Sequence, residues 1–410
     1  MGKRKKPSRN LLSLIHPINY NFRVTFEVLV RYRLGDYHPQ QLEDERSPLD
    51  ETEPTYASVR EKVVQVFASS SLLVNKYDNR EPDARRWTIK ANTVITPLPH
   101  NRRDEYVNVI GFCPMEITSP VIPIQEKAAG NSFTEIELML RILRKNFKII
   151  VNSTCGLRVE IGCCAKLQYN NCIARGFPLQ TLRNFAQLVT LFETEINALH
   201  PVHRVLYADY CRLPSQLIKK SQDPVTLLNR CTDPATLDRT WQEGLNISDS
   251  SSNEAPPAYS FSNVLGIPGT RDQQRTPEVI EFRQHAGTID SESVYHWVQL
   301  AIQLVRFSHE CGVGGLPASL LRSLDEERHS PTGHFDTVSF LRAIGAVEQA
   351  EYYRDKLKQY PRPLPRHFEY QEQTDIASRS VNSDLSSKYT EKKVRRKRRE
   401  PPELKFFEKK

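Results

Sequence analysis

The sequence predicts an α+β fold in which helices pack against a curved, mainly antiparallel sheet, with a functional site on the concave face of that sheet. Three observations support this prediction. Several segments alternate apolar and polar residues with the period of a β-strand. Others repeat apolar residues at the three- and four-residue spacing of a helix. The two kinds of segment are interspersed along the chain, as in a mixed fold with one core.

Length and composition predict one large domain with unstructured additions. The chain has 410 residues, of which 39% are hydrophobic, and 27 prolines. This hydrophobic share suffices for a core diluted by polar segments. We predict a basic head (1–12), a main domain (13–360) with loop insertions at 36–56 and 213–275, and a basic tail (361–410).

The net charge of +8 comes from the chain ends. The first ten residues contribute five positive charges and residues 391–410 a further six, so residues 11–390 carry −3. A nucleic-acid-binding fold needs a basic surface on the fold itself, so nucleic acid is not an expected partner of the main domain.

The two ends of the chain also suggest where in the cell the protein is located. The run "KKVRRKRR" is typical of a solvated tail, and a nuclear import signal is the alternative. Neither a signal-peptide core nor an apolar run of membrane-spanning length is found, which predicts a cytoplasmic protein with no membrane partner. The oligomeric state is left open.

The eight cysteines form no C-x-x-C pair, so zinc-finger spacing is absent. Without a secretory signal, reduced thiols are expected, most of them buried in the core.

The first half of the chain alternates strands and helices. "YNFRVTFEVLV" is the first predicted strand, with its apolar residues on one face and Arg23, Thr25 and Glu27 on the other. A helix is predicted near 57–73. "RRWTIKAN" and "EYVNVIGFCPMEITSP" are the next strands, followed by a helix near 135–147. The strand "CGLRVEIG" then places Leu157, Val159 and Ile161 opposite two charged residues.

The second half contains the clearest helix, predicted over 180–199. Its apolar stripe consists of Leu182, Phe185, Val189, Phe192, Ile196 and Leu199. His200 and His203 follow at the helix end, where capping or surface positions are expected. A strand is predicted over 279–286 and a helix over 291–307, capped by Asp290 or Ser291. A last helix fits 336–358.

The polar faces of these strands carry a recurring set of charged residues. Taken strand by strand they are Glu27, Glu116, Arg158 with Glu160, and Glu281 with Arg283 and His285. A solvated sheet surface would explain any one strand. If the strands are neighbours, however, four carboxylates and two guanidinium groups share one face. That set suits magnesium and phosphate and does not suit zinc.

Four stretches resemble an amidoligase family found largely in fungi, whose members are carboxylate–amine ligases with a glutamine synthetase or glutamate–cysteine ligase type of fold. They are "NSTCGLRVEIG", "GFPLQTLRNFAQLVTLFETEINALHP", "YCRLPS" and "TPEVIEFRQHAGTIDSESVYHWV". The end of the strand "MEITSP" is similar to the family's Val-Glu-Ile-Val-Ser-Pro. The resemblance extends over roughly residues 20–358.

The resemblance implies a reaction in which ATP and Mg²⁺ phosphorylate a carboxylate and an amine attacks the acyl phosphate to form an amide. The implied substrates are a small-molecule carboxylic acid and an amine or peptide. Glu27, Glu116 and Glu160 are the implied metal ligands. Arg158 and Arg283 would contact the nucleotide, and Arg283 would hold the transferred phosphoryl group. Glu281 and His285 would complete the catalytic group beside it.

Three positions depart from the family pattern, and all fall on this implied site. Thr25 replaces the first acid of a Glu-x-Glu, and Asn92 replaces an aspartate. Arg158 and Glu160 replace the two histidines of Gly-Leu-His-Val-His. Fewer acids and an added cation weaken divalent metal binding. A ligase with an altered metal site and a non-catalytic relative that binds a nucleotide, small acid or protein are therefore both open.

Overall fold

A computed structural model of the protein describes thirteen stretches of the chain: residues 19–32, 56–75, 83–92, 94–95, 111–124, 129–168, 171–174, 176–205, 211–217, 223–243, 256–261, 279–329 and 335–358. The described residues up to Leu357 belong to one compact unit. The predicted head, the tail from residue 361 and the insertion at 36–55 lie outside the described residues, so the domain boundaries stay predictions.

The nine described strands form one antiparallel sheet. They are β1 (Asn19–Tyr32), β2 (Thr88–Ala91), β3 (Gly111–Thr118), β4 (Ile122–Pro123), β5 (Lys148–Ile150), β6 (Leu157–Gln168), β7 (Asn171–Ala174), β8 (Tyr259–Ser260) and β9 (Val279–Phe282). Their order is β2-β3-β1-β6-β9-β8; β4 and β5 also pair with β1, and β7 pairs with β6. The predicted mixture of helices with a mainly antiparallel sheet is confirmed, whereas the concavity of one face stays a prediction.

Twelve α-helices lie among the described residues. They are α1 (Tyr56–Ser69), α2 (Ala129–Asn146), α3 (Leu179–Leu191), α4 (Glu193–Asn197), α5 (Val202–Val205), α6 (Pro214–Leu217), α7 (Pro224–Asn229), α8 (Pro234–Glu243), α9 (Ser291–Glu310), α10 (Ala318–His329), α11 (Thr337–Ala343) and α12 (Val347–Leu357). Asp290 caps α9, because its Oδ2 accepts a hydrogen bond from Ser293 N at 2.9 Å. Of the described helices, none combines the length and the apolar character needed to cross a membrane.

The core lies between the apolar face of the sheet and the long helices. Val24, Val159 and Ile280, on β1, β6 and β9, have no exposed surface. Helix α9 packs on β1 and β6 and also contacts α2, α3 and α12. Burying each such aliphatic side chain contributes about 1.5–3 kcal/mol, so the period-2 alternation fixes which face turns inward. The opposite face of the same strands is left for the charged residues.

The helix predicted over 180–199 is interrupted at Phe192. Its φ of −109° and ψ of 28° separate α3 from α4. All six residues of the predicted apolar stripe are nevertheless buried. The Phe192 ring stacks on Phe340 at 4.8 Å, and the next residue, Glu193, turns inward to bind Ser215. These long-range contacts account for a break that the local spacing does not reveal.

Two other predictions need correction. The segment 213–275, expected to be a loop insertion, contains α6, α7, α8 and β8 in its described part. The single helix predicted over 336–358 is two helices, because Gly345 adopts a φ of +82° that favours glycine and ends α11. Helix α10 was not predicted.

The described cysteine thiols are free, as expected. Five of them are buried and Cys311 is partly exposed. Burial raises the pKa of the Cys113 and Cys155 thiols to about 12, so neither is a reactive thiolate at neutral pH.

Candidate functional site

The charged residues of β1, β3, β6 and β9 lie on the same face of the sheet. Glu27 is directly opposite Glu116, and Glu160 is directly opposite both Arg23 and Glu281. Residues paired in this way on neighbouring antiparallel strands point to the same side. The structure therefore brings together the charged residues that the sequence singled out, with the exception of His285, whose ring packs against Trp297. We call this set the charged face: Arg23, Thr25, Glu27, Glu116, Arg158, Glu160, Glu281 and Arg283.

Arg158 is the central cation of the charged face. Its Nη2 lies 2.5 Å from Glu116 Oε1 on β3, and its Nε lies 3.4 Å from Glu281 Oε1 on β9. Burial works against the charged form of Arg158, but nearby carboxylates, led by Glu116 and Glu281, outweigh it and raise the pKa. The guanidinium thus links strands on opposite sides of the sheet centre.

Glu281 is the most deeply buried acid of the charged face. Its side chain is 1% exposed, and its Oε1 lies 2.8 Å from Arg283 Nη2. Burial raises the pKa of this carboxyl, whereas Arg283 and Arg158 act to lower it. One buried carboxylate therefore joins two arginines whose side chains are 27% and 19% exposed.

Glu27 is held at the edge of this group by the backbone. Its Oε2 accepts a hydrogen bond from Gly156 N at 2.6 Å, and its Oε1 accepts one from Asn92 Nδ2 at 3.4 Å. A Cβ at Gly156 would lie 2.6 Å from Arg204 Nη2 and 3.0 Å from Glu27 Oε2, so a larger residue here would have to displace one of these two side chains. Burial raises the pKa of the Glu27 carboxyl.

His285 follows β9, which ends at Phe282 and not at 286 as predicted. Its Nδ1 donates a hydrogen bond to Ala286 O at 2.6 Å, which leaves the lone pair on Nε2. Burial lowers the pKa of His285 to about 4. At neutral pH this imidazole is therefore uncharged and can accept a hydrogen bond.

Arg204 is a residue that the sequence analysis missed. It is 4% exposed, and it donates to Arg283 O and His285 O from Nη2, each at 3.0 Å, and to Gln284 O from Nε at 3.3 Å. One side chain thereby fixes three consecutive residues that include two predicted catalytic ones. No spacing or periodicity in the chain links position 204 to 283–285; only the fold does.

His200 was expected at the surface or as a helix cap, and this was wrong. It is 7% exposed, and its ring lies edge to face against Trp297 at 4.8 Å and His285 at 5.7 Å. Burial lowers the pKa of His200 well below its usual range. Helix α4 ends inside the protein, so Leu199 and His200, which follow it, are buried. The end of the predicted 180–199 helix therefore did not indicate an exposed position for His200.

A buried polar chain extends from the back of the site. Gln284 Nε2 donates to Asn197 Oδ1 at 2.5 Å, and Asn197 Nδ2 donates to Glu193 Oε1 at 3.5 Å. Glu193 also accepts from the backbone and hydroxyl of Ser215, each at 2.7 Å. Burial raises the pKa of Glu193 to about 7, and these hydrogen bonds only partly oppose the rise.

We expect Glu193 to make the wild type less stable as the pH rises from about 4.5 to about 7. In that window the folded chain retains a proton that the unfolded chain has lost, so the free energy of unfolding falls and then levels off above the folded pKa. Glu193→Gln should remove up to about 3 kcal/mol of this dependence. Urea unfolding at pH 5 and pH 8 measures it.

Comparing variant with wild type at each pH cancels the contributions of Glu27, Glu281 and the histidines to this slope. Exposed Glu137 on α2 offers a matched control, since Glu137→Gln makes the same chemical change at an exposed position. Identical slopes for Glu193→Gln and wild type would contradict the prediction.

The described side chains do not fit the magnesium site that the resemblance implies. Among them, no group of three His, Cys, Asp or Glu residues is placed to hold a metal ion. The three predicted ligands already contact other groups of the protein. Glu116 forms an ion pair with Arg158, Glu160 Oε2 lies 3.7 Å from Arg23 Nη1, and Glu27 accepts a hydrogen bond from Gly156 N. The assignment of Glu27, Glu116 and Glu160 as metal ligands stays a prediction.

Comparisons with known proteins identify the family. A family model described as "Putative amidoligase enzyme" matches residues 50–305, more than half of the chain. That range contains every predicted site residue except Glu27. A search of curated protein sequences finds no match.

Two solved structures are similar to this chain. A bifunctional glutathione synthetase from Pasteurella multocida is 12% identical, over 84% of this chain and 48% of its own length, with a TM-score of 0.36. Glutamine synthetase from Plasmodium falciparum is 10% identical, over 86% of this chain and 75% of its own, with a TM-score of 0.35. This chain thus spans about half the length of the glutathione synthetase. By the match of the family model, the chain belongs to the amidoligase family.

Proposed function

We propose that the charged face is the active site of an ATP-dependent carboxylate–amine ligase. One observation carries this proposal: the buried carboxylate of Glu281 lies beside two partly exposed guanidinium groups, Arg158 and Arg283. Paired arginines bind carboxylate and phosphoryl oxygens in a bidentate manner. Membership in the amidoligase family supports the choice of an amide-forming reaction.

The proposed reaction has two steps. A carboxylate oxygen of the acid attacks the γ-phosphorus of ATP, and the bond to ADP breaks, which gives an acyl phosphate. An amine nitrogen then attacks the acyl carbon, phosphate leaves with the electron pair of the broken C–O bond, and the nitrogen loses a proton. The substrates are a small-molecule carboxylic acid and an amine or peptide.

Each residue has a role that follows from its position. Arg283 and Arg158 neutralise the charge on the transferred phosphoryl group, and Glu281 fixes both guanidinium groups in place. His285 is not one of the charged-face residues, because its ring packs against Trp297 and His200, so no step is assigned to it. No step is assigned to Mg²⁺ bound by Glu27, Glu116 and Glu160, because the described side chains do not fit that site.

A second candidate function is favoured by the ion pairs of Arg158. Its links to Glu116 and Glu281 hold the charged face together even without a ligand. A non-catalytic relative would use the same arginines to bind a nucleotide or small acid without turning it over.

One assay separates the two functions. Purified protein is incubated with Mg-ATP and a panel of acids and amines, and ADP release is followed together with nucleotide binding. A ligase releases ADP only when an acid is present, and faster when the amine is added. Nucleotide or acid binding without ADP release would establish the second candidate, and the absence of both would refute the proposed site.

A further inference from the structure

We propose that the guanidinium group of Arg158 is the resident cation of the charged face, so that the face binds a phosphoryl-bearing anion without a divalent cation among Glu116, Glu160 and Glu281. The choice of a nucleotide as that anion rests on the proposed function. The statement about the cation rests on the geometry of Arg158 alone.

The side chain of Arg158 extends from β6 across β1 and reaches β3. Arg158 on β6 is directly opposite Thr25 on β1, which is directly opposite Thr118 on β3. Both threonines are small, and their hydroxyl groups lie 3.0 Å apart. A long side chain can therefore extend over β1 and reach Glu116, two residues along β3 from Thr118. At its other edge the same guanidinium reaches Glu281 on β9.

The carboxylates around Arg158 need a cation to offset their negative charge. Glu27, Glu116, Glu160 and Glu281 all act on Arg158 as negative charges. Glu160 and Glu281 are also direct cross-strand neighbours, an arrangement of like charges that is unfavourable without a cation between or beside them. Arg158 supplies that cation together with Arg283 and Arg23. A divalent ion at the same position would meet a fixed positive charge and carboxylate oxygens that are already engaged.

Arg158 and Arg283 are accessible to a ligand. The side chains of Arg158 and Arg283 keep 19% and 27% of their surface exposed. Each guanidinium has five N–H donors, and its contacts with Glu116 and Glu281 engage only some of them. The remaining donors suit the oxygens of a phosphoryl group.

The test uses Mn²⁺ alone as the probe, measured by calorimetry on the full chain. The wild type should show no saturable binding, whereas Arg158→Gln should bind one Mn²⁺ per chain at least about tenfold more tightly than any residual wild-type binding. Arg158→Lys, which keeps the charge, is the matched control and should behave like the wild type. Adding Glu116→Gln to Arg158→Gln should abolish the new site.

Two results would overturn the inference: saturable Mn²⁺ binding by the wild type that Glu116→Gln removes, or no gain in a folded Arg158→Gln protein. If Arg158→Gln does not fold, the Mn²⁺ titrations of the wild type and of Glu116→Gln still show whether the charged face binds a divalent cation.

A second experiment titrates a non-hydrolysable ATP analogue into the wild type in EDTA and in Mg²⁺. Affinities within about threefold support the inference, and binding only in Mg²⁺ contradicts it. No binding in either buffer would refute the proposed function, while the Mn²⁺ titrations would still decide the role of Arg158.

Discussion

Arg204→Met is expected to lower the free energy of unfolding by about 3–5 kcal/mol, because it removes the buried charged donor that binds the carbonyl oxygens of Arg283, Gln284 and His285. Of these three, His285 O keeps its hydrogen bond from Leu157 N. Methionine has a similar length and fills much of the same space, so the loss reports the hydrogen bonds more than a cavity. Arg204→Lys keeps the charge but cannot present a planar fork to Arg283, Gln284 and His285 at once, so it should lose an intermediate amount.

Urea unfolding measures this loss, and exposed Arg230 provides the matched control. Arg230→Met should change the free energy of unfolding by no more than about 0.5 kcal/mol. Amide hydrogen exchange adds a local measurement. Arg283 N is bound to Ala258 O at 2.8 Å and Leu157 N to His285 O at 3.0 Å. Both amides should exchange faster in Arg204→Met under native conditions. Equal losses for Arg204→Met and Arg230→Met would mean that the carbonyl contacts do not stabilise this segment.

The strands and their faces could be predicted from the sequence because a strand has a period of two. Once Val24 and Val159 turn into the core, Thr25 and Arg158 must lie on the other side. The register did not follow from the pattern. That Glu27 faces Glu116, and not some other residue of β3, depends on how the two strands are paired. The charged face could thus be proposed from the sequence, but its ion pairs could not.

Contacts between distant parts of the chain explain the predictions that failed. The interruption of the 180–199 helix depends on Phe340 and Ser215, which lie far along the chain from Phe192. The three helices within 213–275 are short, at four to ten residues, so their apolar spacing is too brief to recognise. Arg204 looks like an ordinary residue near a helix end until the fold places it against residues 283–285.

Arg283→Gln is expected to reduce acid-dependent ADP release by about 100- to 1,000-fold in the proposed ligase. The loss of the positive charge removes electrostatic stabilisation of the phosphoryl group in the transition state, an effect of about 2.7–4 kcal/mol when a preorganised donor is deleted. The variant also removes the 2.8 Å contact between Arg283 Nη2 and Glu281 Oε1, while Arg158 Nε stays 3.4 Å from the same oxygen. Arg283→Lys keeps the charge but loses the bidentate geometry, so an intermediate rate is expected.

A second arginine–glutamate ion pair, away from the charged face, serves as the control. It shows whether the loss of ADP release is specific to Arg283. Arg342 Nη2 lies 2.5 Å from Glu351 Oε1, and both side chains are exposed, so Arg342→Gln deletes an arginine–glutamate contact without touching the charged face. It should keep the wild-type rate. Steady-state rates are compared with thermal unfolding midpoints, because Arg283→Gln also takes one partner from the buried Glu281 carboxylate, and a loss of stability has to be separated from a loss of rate. A folded Arg283→Gln protein that releases ADP at the wild-type rate would remove Arg283 from the reaction, and with it the central assignment of the proposed site.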